Sequence, residues 1–230
     1  MFIEIISGCG ACLGILLSFH LLLLRRRTAS TFLSLYLLSL SIQLLEPLSG
    51  YAPFSAKFMS TLMGTCAFIM GPALYLYCRM RIARDKLTFR SVVHFLPATL
   101  LLIIVIISPT PENGSRASTD EVVLYAVFIL ILFTYGFLSL RTVLGKAKIH
   151  VHIQESMPAS FVRMLVYSSL FLFTYSLVGT IIKFNGSEVF VATVQVLLNF
   201  IIIVIALLNT EGLEQRPAKE WVEASESPSL

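Results

Sequence analysis

The chain has 230 residues, with 17 Lys and Arg against 13 Asp and Glu for a formal net charge of +4. Hydrophobic residues make up 57% and charged residues only 13%, and the mean hydropathy is +0.85. These values exclude an ordinary soluble globular domain and point to a chain composed almost entirely of membrane spans.

Seven apolar segments are long enough to cross about 30 Å of hydrocarbon at 1.5 Å per residue. The first, 1–24, carries Gly10 and Gly14 four residues apart with Ser18 on the same face. Small residues at that spacing let two helices approach closely in lipid. Ile6-Ser7-Gly8-Cys9 has the look of a lipid-attachment box, but a positive n-region is missing and the apolar stretch before the cysteine is too short. Cys9 and Cys12 form a C-x-x-C without the βαβ context of a redox motif, so they read as small residues of a packed helix.

The second segment, 31–49, ends with Gln43, Glu46 and Pro47. Glu46 is the ionisable group that stands closest to the apolar interior, where a charge costs about 2.5–3.5 kcal/mol at mid-bilayer. Facing inward it would bind a ligand cation or pair with Lys57 or Lys183; facing outward it would snorkel beside Tyr51. The third segment, 58–78, contains GPALYLYCRM at 71–80. Pro72 removes a backbone donor and Gly71 eases bending, so this pair predicts a hinge or a packing notch. Tyr75 and Tyr77 follow toward the membrane interface, with Arg79 and Arg81 beyond.

The fourth segment, 92–108, opens with His94 and Pro97; the fifth, 122–140, has neither charge nor proline. The sixth is 164–182. The seventh, 189–208, places Gln195 and Asn199 four apart, as a polar stripe that faces inward or bonds a neighbouring helix. The domain division is a seven-helix membrane domain over 1–208 and a disordered cytoplasmic tail over 209–230, acidic and containing Pro and Ser.

Basic residues set the orientation. Arg25, Arg26, Arg27, Arg79, Arg81, Arg84, Lys86, Arg90, Arg141, Lys146, Lys148, Arg163, Arg216 and Lys219 fall on one side, leaving Lys57, Arg116 and Lys183 for the other. The positive-inside rule then predicts the amino terminus outside and the carboxyl terminus in the cytoplasm. The net charge belongs to lipid-facing loops, and direct nucleic-acid binding is not expected. The loops 109–121 and 185–188 each hold an N-x-S sequon, at Asn113 and Asn185, which we read as Asn-Gly turns.

Catalysis finds no support in the motifs. Neither two histidines four apart with a glutamate nor a nucleophile with a base is present. His150 and His152 form an H-x-H near Glu155 in a polar loop, a pattern that does not define a metal site. No enzyme activity, cofactor or metal is expected. A retinal protein would need a lysine in the last span, and none lies in 189–208. Heptahelical receptors of the eukaryotic type would carry an N-P-x-x-Y run there, also missing. A repeat-built transporter would show matched helix breaks, but Pro47, Pro72 and Pro97 have no counterparts in spans five to seven.

GPALYLY at 71–77, the basic loop after it and HFLPA at 94–98 resemble the membrane input domain at the N-terminus of certain bacterial AraC-family transcriptional regulators. The motif residues are Gly71, Pro72, Tyr75, Tyr77, His94 and Pro97, and the likeness extends over roughly residues 1–210. The resemblance implies a sensor whose last helix relays a signal to a cytoplasmic helix-turn-helix reader. Here the residues after Leu208 are too few for two helix-turn-helix units, so the expected output lies in another polypeptide or a longer product, or in a partner touching Trp221.

The expectation is therefore an all-α, polytopic seven-helix protein of the bacterial inner membrane that senses a small ligand or envelope signal, with a small-solute transporter as the alternative. Glu46, Gln43, Gln195 and Asn199 are the expected ligand contacts, and Gly71 with Pro72 the expected hinge. Partners are the lipid bilayer, a small ligand, and a cytoplasmic output protein or a second copy of the chain.

Overall fold

The computed structural model describes residues 2–24, 28–51, 56–82, 88–107, 119–147, 159–183 and 188–214. Seven long helices account for most of them: α1 (Phe2–Leu24), α2 (Thr28–Gln43), α3 (Ala56–Ile82), α5 (Leu96–Ile107), α6 (Thr119–Ala147), α7 (Ala159–Lys183) and α8 (Glu188–Glu214). A four-residue helix α4 (Phe89–Val92) precedes α5, and no strand occurs among the described residues. Arg25 to Arg27, the sequons at Asn113 and Asn185, His150, His152, Glu155 and Trp221 lie outside the described residues.

Two predicted spans take a different form from the one expected. The second stops being α-helical at Gln43 and continues, after two turn residues, as a 3-10 helix over Glu46–Tyr51. Pro47 tolerates that position because its missing N–H falls in the first turn, where no intrahelical acceptor awaits it. The fourth is divided by a 3-10 turn at Val93–Phe95. Only 12 residues of α5 follow that turn, about 18 Å of helix. Elsewhere the helices overrun the predicted bounds, α8 continuing six residues past 208 to Glu214.

Among the described residues four helices are long and apolar enough to cross a membrane, over Phe2–Leu23, Ala29–Leu48, Thr61–Ile82 and Ala192–Asn209. Shorter apolar stretches, Leu130–Gly145 and Phe161–Tyr175, lie within α6 and α7. Apolar side chains fill the interior, as in a soluble bundle, but they also cover the outside. Large apolar side chains such as Leu16, Phe19, Leu23, Leu130, Phe137, Phe171, Ile201 and Leu208 stand exposed. Ser7, Ser18, Ser34, Ser39, Ser41, Ser139, Ser169 and Asn199 are buried. A surface this apolar requires a nonaqueous neighbour, because soluble proteins rarely expose patches of more than a few hundred Å².

Buried serines are tolerated because each finds an acceptor. Ser18, Ser39, Ser41, Ser139 and Ser169 bond the carbonyl one turn earlier, at 2.6–2.8 Å. Three of the serine bonds cross between elements: Ser7 Oγ donates to the Leu44 carbonyl, Ser34 Oγ to the Ser18 carbonyl, and Tyr36 OH pairs with Ser169 Oγ at 2.6 Å. Since the single Ser169 hydrogen is directed to Leu165, Tyr36 is the donor of the last pair.

Neighbouring helices close a ring in the order α1, α2, α3, α6, α7, α8 and back to α1, with α5 packed against α3. The predicted small-residue face of α1 seals this ring. A β-carbon on Gly10 would stand 2.8 Å from Leu44 of the turn after α2 and 2.8 Å from Phe200 of α8; one on Gly14 would overlap Ser41 and meet Ile203 at 2.8 Å. Contacts that run 7 to 44, 14 to 41 and 18 to 34 make α1 and α2 antiparallel. Those that run 10 to 200 and 14 to 203 make α1 and α8 parallel.

Cys9 and Cys12 are exposed, on the face opposite this seam, rather than packed as expected. The glycines occupy the contact face, and residues 9, 12, 13 and 16 fall on the outward side of the same helix.

Candidate ligand cleft

The same antiparallel and parallel pairings bring three helix ends together: the start of α1, the end of α2 with its 3-10 continuation, and the first turns of α8. Between them opens a cleft of about 290 Å³ lined by Ile3, Glu4, Gln43, Glu46, Pro47, Ala192, Thr193, Gln195, Val196 and Asn199. All four expected contacts, Gln43, Glu46, Gln195 and Asn199, are on its wall. They come together because α8 turns its 195/199 stripe toward the α2 end while α1 holds both helices.

Each contributes differently. Glu46 is exposed, at the first residue of the 3-10 turn, and Gln43 and Gln195 are half-buried. Asn199 is only 1% exposed. Its amide oxygen Oδ1 has no hydrogen-bond partner among the described residues. A buried acceptor left without a donor costs about 1–3 kcal/mol, so its position on the cleft wall marks it as an acceptor for something that enters.

Glu4, Ile3 and Thr193 were not anticipated. Glu4 had a signal in the sequence, since it is the only charge within α1, in its first turn. The lining thus carries two carboxylates, three side-chain amides and a hydroxyl among Ile3, Pro47, Ala192 and Val196. No Lys, Arg or His lines it among the described residues. Within those residues no group of three His, Cys, Asp or Glu stands close enough to hold a metal.

The motif residues form a separate cluster. Helix α3 runs unbroken through Gly71 and Pro72, and a β-carbon on Gly71 would lie 3.1 Å from the Tyr135 β-carbon of α6. Of the two roles foreseen for this pair, the packing notch is the one that the contact describes. Tyr75 and His94 stack edge to face at 5.3 Å, and Tyr135 lies 6.0 Å from the first and 5.6 Å from the second. Its hydroxyl stands 3.1 Å from His94 Nδ1 and 3.3 Å from the His94 carbonyl oxygen.

Tyr77 is buried in the core rather than settled at a surface. Pro97 falls in the first turn of α5, directly after the 3-10 turn whose Val93 carbonyl accepts from the Leu96 N–H, so the missing N–H of residue 97 falls at a helix start. Tyr135 thus joins two sequence motifs that are far apart in the chain, and nothing in its own neighbourhood of the sequence announces that role.

Comparison with protein-family models, characterised proteins and solved structures finds no match.

Proposed function

We propose that this chain is a signal-input domain of a bacterial cytoplasmic membrane, related to the input domains that its GPALYLY and HFLPA segments resemble. The observation that carries the reading is the convergence of Gln43, Glu46, Gln195 and Asn199 on one cleft that contains a buried, unpartnered acceptor. A concave site with a few polar groups that converge among apolar side chains suits recognition of a small ligand.

In the N-out orientation that the basic loops favour, the cleft faces outward, since Ile3 and Glu4 open α1. Helix α8 is the connecting element. It carries Gln195 and Asn199 at one end and extends over 27 residues, about 40 Å of rigid rod. A ligand that draws on Asn199 and Gln195 biases α8 against the glycine seam of α1, and the shift is read at the far end by a cytoplasmic partner or a second copy.

Transcript profiles of cells that produce the wild-type chain or a Gln43→Leu, Glu46→Gln double variant test the reading. A set of transcripts that responds to the wild type and not to the inserted variant supports the sensor. Unchanged transcripts together with solute uptake by proteoliposomes would replace it with the transporter.

A further inference from the structure

The chemistry of the cleft lining restricts what it binds, given the reading of this cleft as the ligand site. Glu46 puts an exposed carboxylate at the cleft, and no Lys, Arg or His is among the described lining residues. An anionic ligand would be repelled. At the buried side, Asn199 Oδ1 is an acceptor that needs a hydrogen to point at it. The side chains of Ile3, Pro47, Ala192 and Val196 give the cleft an apolar part, which suits a short organic body.

A volume of about 290 Å³ is at the lower end for organic ligands. Positive charge, an N–H donor and a small apolar body together describe one class. We propose that the cleft takes a small primary or secondary amine in its ammonium form, with an N–H directed to Asn199 Oδ1 and the charge offset by Glu46. Quaternary ammonium ions share the charge and the body but lack the hydrogen, so Asn199 excludes them. A primary ammonium reaches an outward cleft of a membrane protein from two sources, a free amine or a phosphatidylethanolamine headgroup.

The test uses the full chain in phosphatidylcholine nanodiscs, titrated calorimetrically with phenethylamine, butylamine and the N,N,N-trimethyl analogue of phenethylamine. Phenethylamine is expected to bind saturably and its trimethyl analogue at least about tenfold more weakly. Asn199→Leu should abolish that difference, while Glu46→Gln weakens both cations. Equal affinity for the two phenethyl compounds in the wild-type chain overturns the proposal without reliance on any variant. So does the absence of saturable binding by either primary amine when neither phosphatidylethanolamine nor any other primary or secondary ammonium is present.

Replacing part of the phosphatidylcholine by phosphatidylethanolamine tells the sources apart. Loss of apparent amine affinity assigns the cleft to the headgroup, and an unchanged affinity assigns it to the free amine. Failure here is separable from failure of the sensor reading. A transcript response abolished by Glu46→Gln in a chain that binds no amine removes the ligand class alone; amine binding with no cellular response removes the sensor alone.

Discussion

At Gly10 and Gly14 the first helix meets its neighbours on α2 and α8 so closely that a β-carbon has no room, whereas two turns earlier, at Ile3 and Glu4, the same three elements stand apart around the cleft. Both regions belong to one seam. The difference is made by residue size: glycine and serine where the backbones close, carboxylates and amides where they part. In lipid no hydrophobic force drives helices together, so contact must come from packing and hydrogen bonds. The glycine contact supplies it and holds the walls of the cleft in a fixed relation.

The contrast is broken most directly by Gly14→Leu. Its side chain would overlap Ser41 and crowd Ile203, and the expected cost is about 1–3 kcal/mol or more, as for overpacked cores. The SDS-unfolding midpoint of the purified chain measures it; a midpoint equal to wild type would mean that the seam is not tight. Asn199→Leu should act with the opposite sign. Removing a buried acceptor without a partner is expected to stabilise the empty protein by about 1 kcal/mol, and a lower midpoint would show that Oδ1 is already satisfied.

A smaller loss is expected from Tyr36→Phe, which deletes the 2.6 Å bond to Ser169 and keeps the ring. Hydrogen bonds between membrane helices average about 0.6 kcal/mol and reach about 1.7, so an effect beyond that range would assign Tyr36 a role besides this bond. Gly8→Ala sharpens the comparison from the quiet side. A β-carbon there would lie 3.7 Å from Leu48, an ordinary contact, and the midpoint should stay within about 0.5 kcal/mol of wild type. A drop as large as that of Gly14→Leu would place the tight contact at the wrong end of the helix.

The seven helices were legible because each is a long apolar run, and the polar lining was legible because Gln43, Glu46, Gln195 and Asn199 interrupt such runs. Gly10 and Gly14 also announced a close contact. What they touch was not legible: spacing marks a contact face but names no partner, so the adjacency of α1 to α8 appears only in the fold. The same limit hid Tyr135, one aromatic residue among many in an apolar helix, whose partners Tyr75 and His94 come from other elements. Even Glu4, a visible charge, could not be assigned to the cleft until its neighbours were known.

Ring closure by the first and last of the long helices has a consequence for biogenesis. One wall of the cleft, on α1, is synthesised before the five long helices α2, α3, α5, α6 and α7, and the facing wall, on α8, after them. The cleft is therefore closed only when α8 joins α1. A nascent or truncated product that lacks α8 would leave the glycine face of α1 without Phe200 and Ile203 and the cleft without its Gln195 and Asn199 wall.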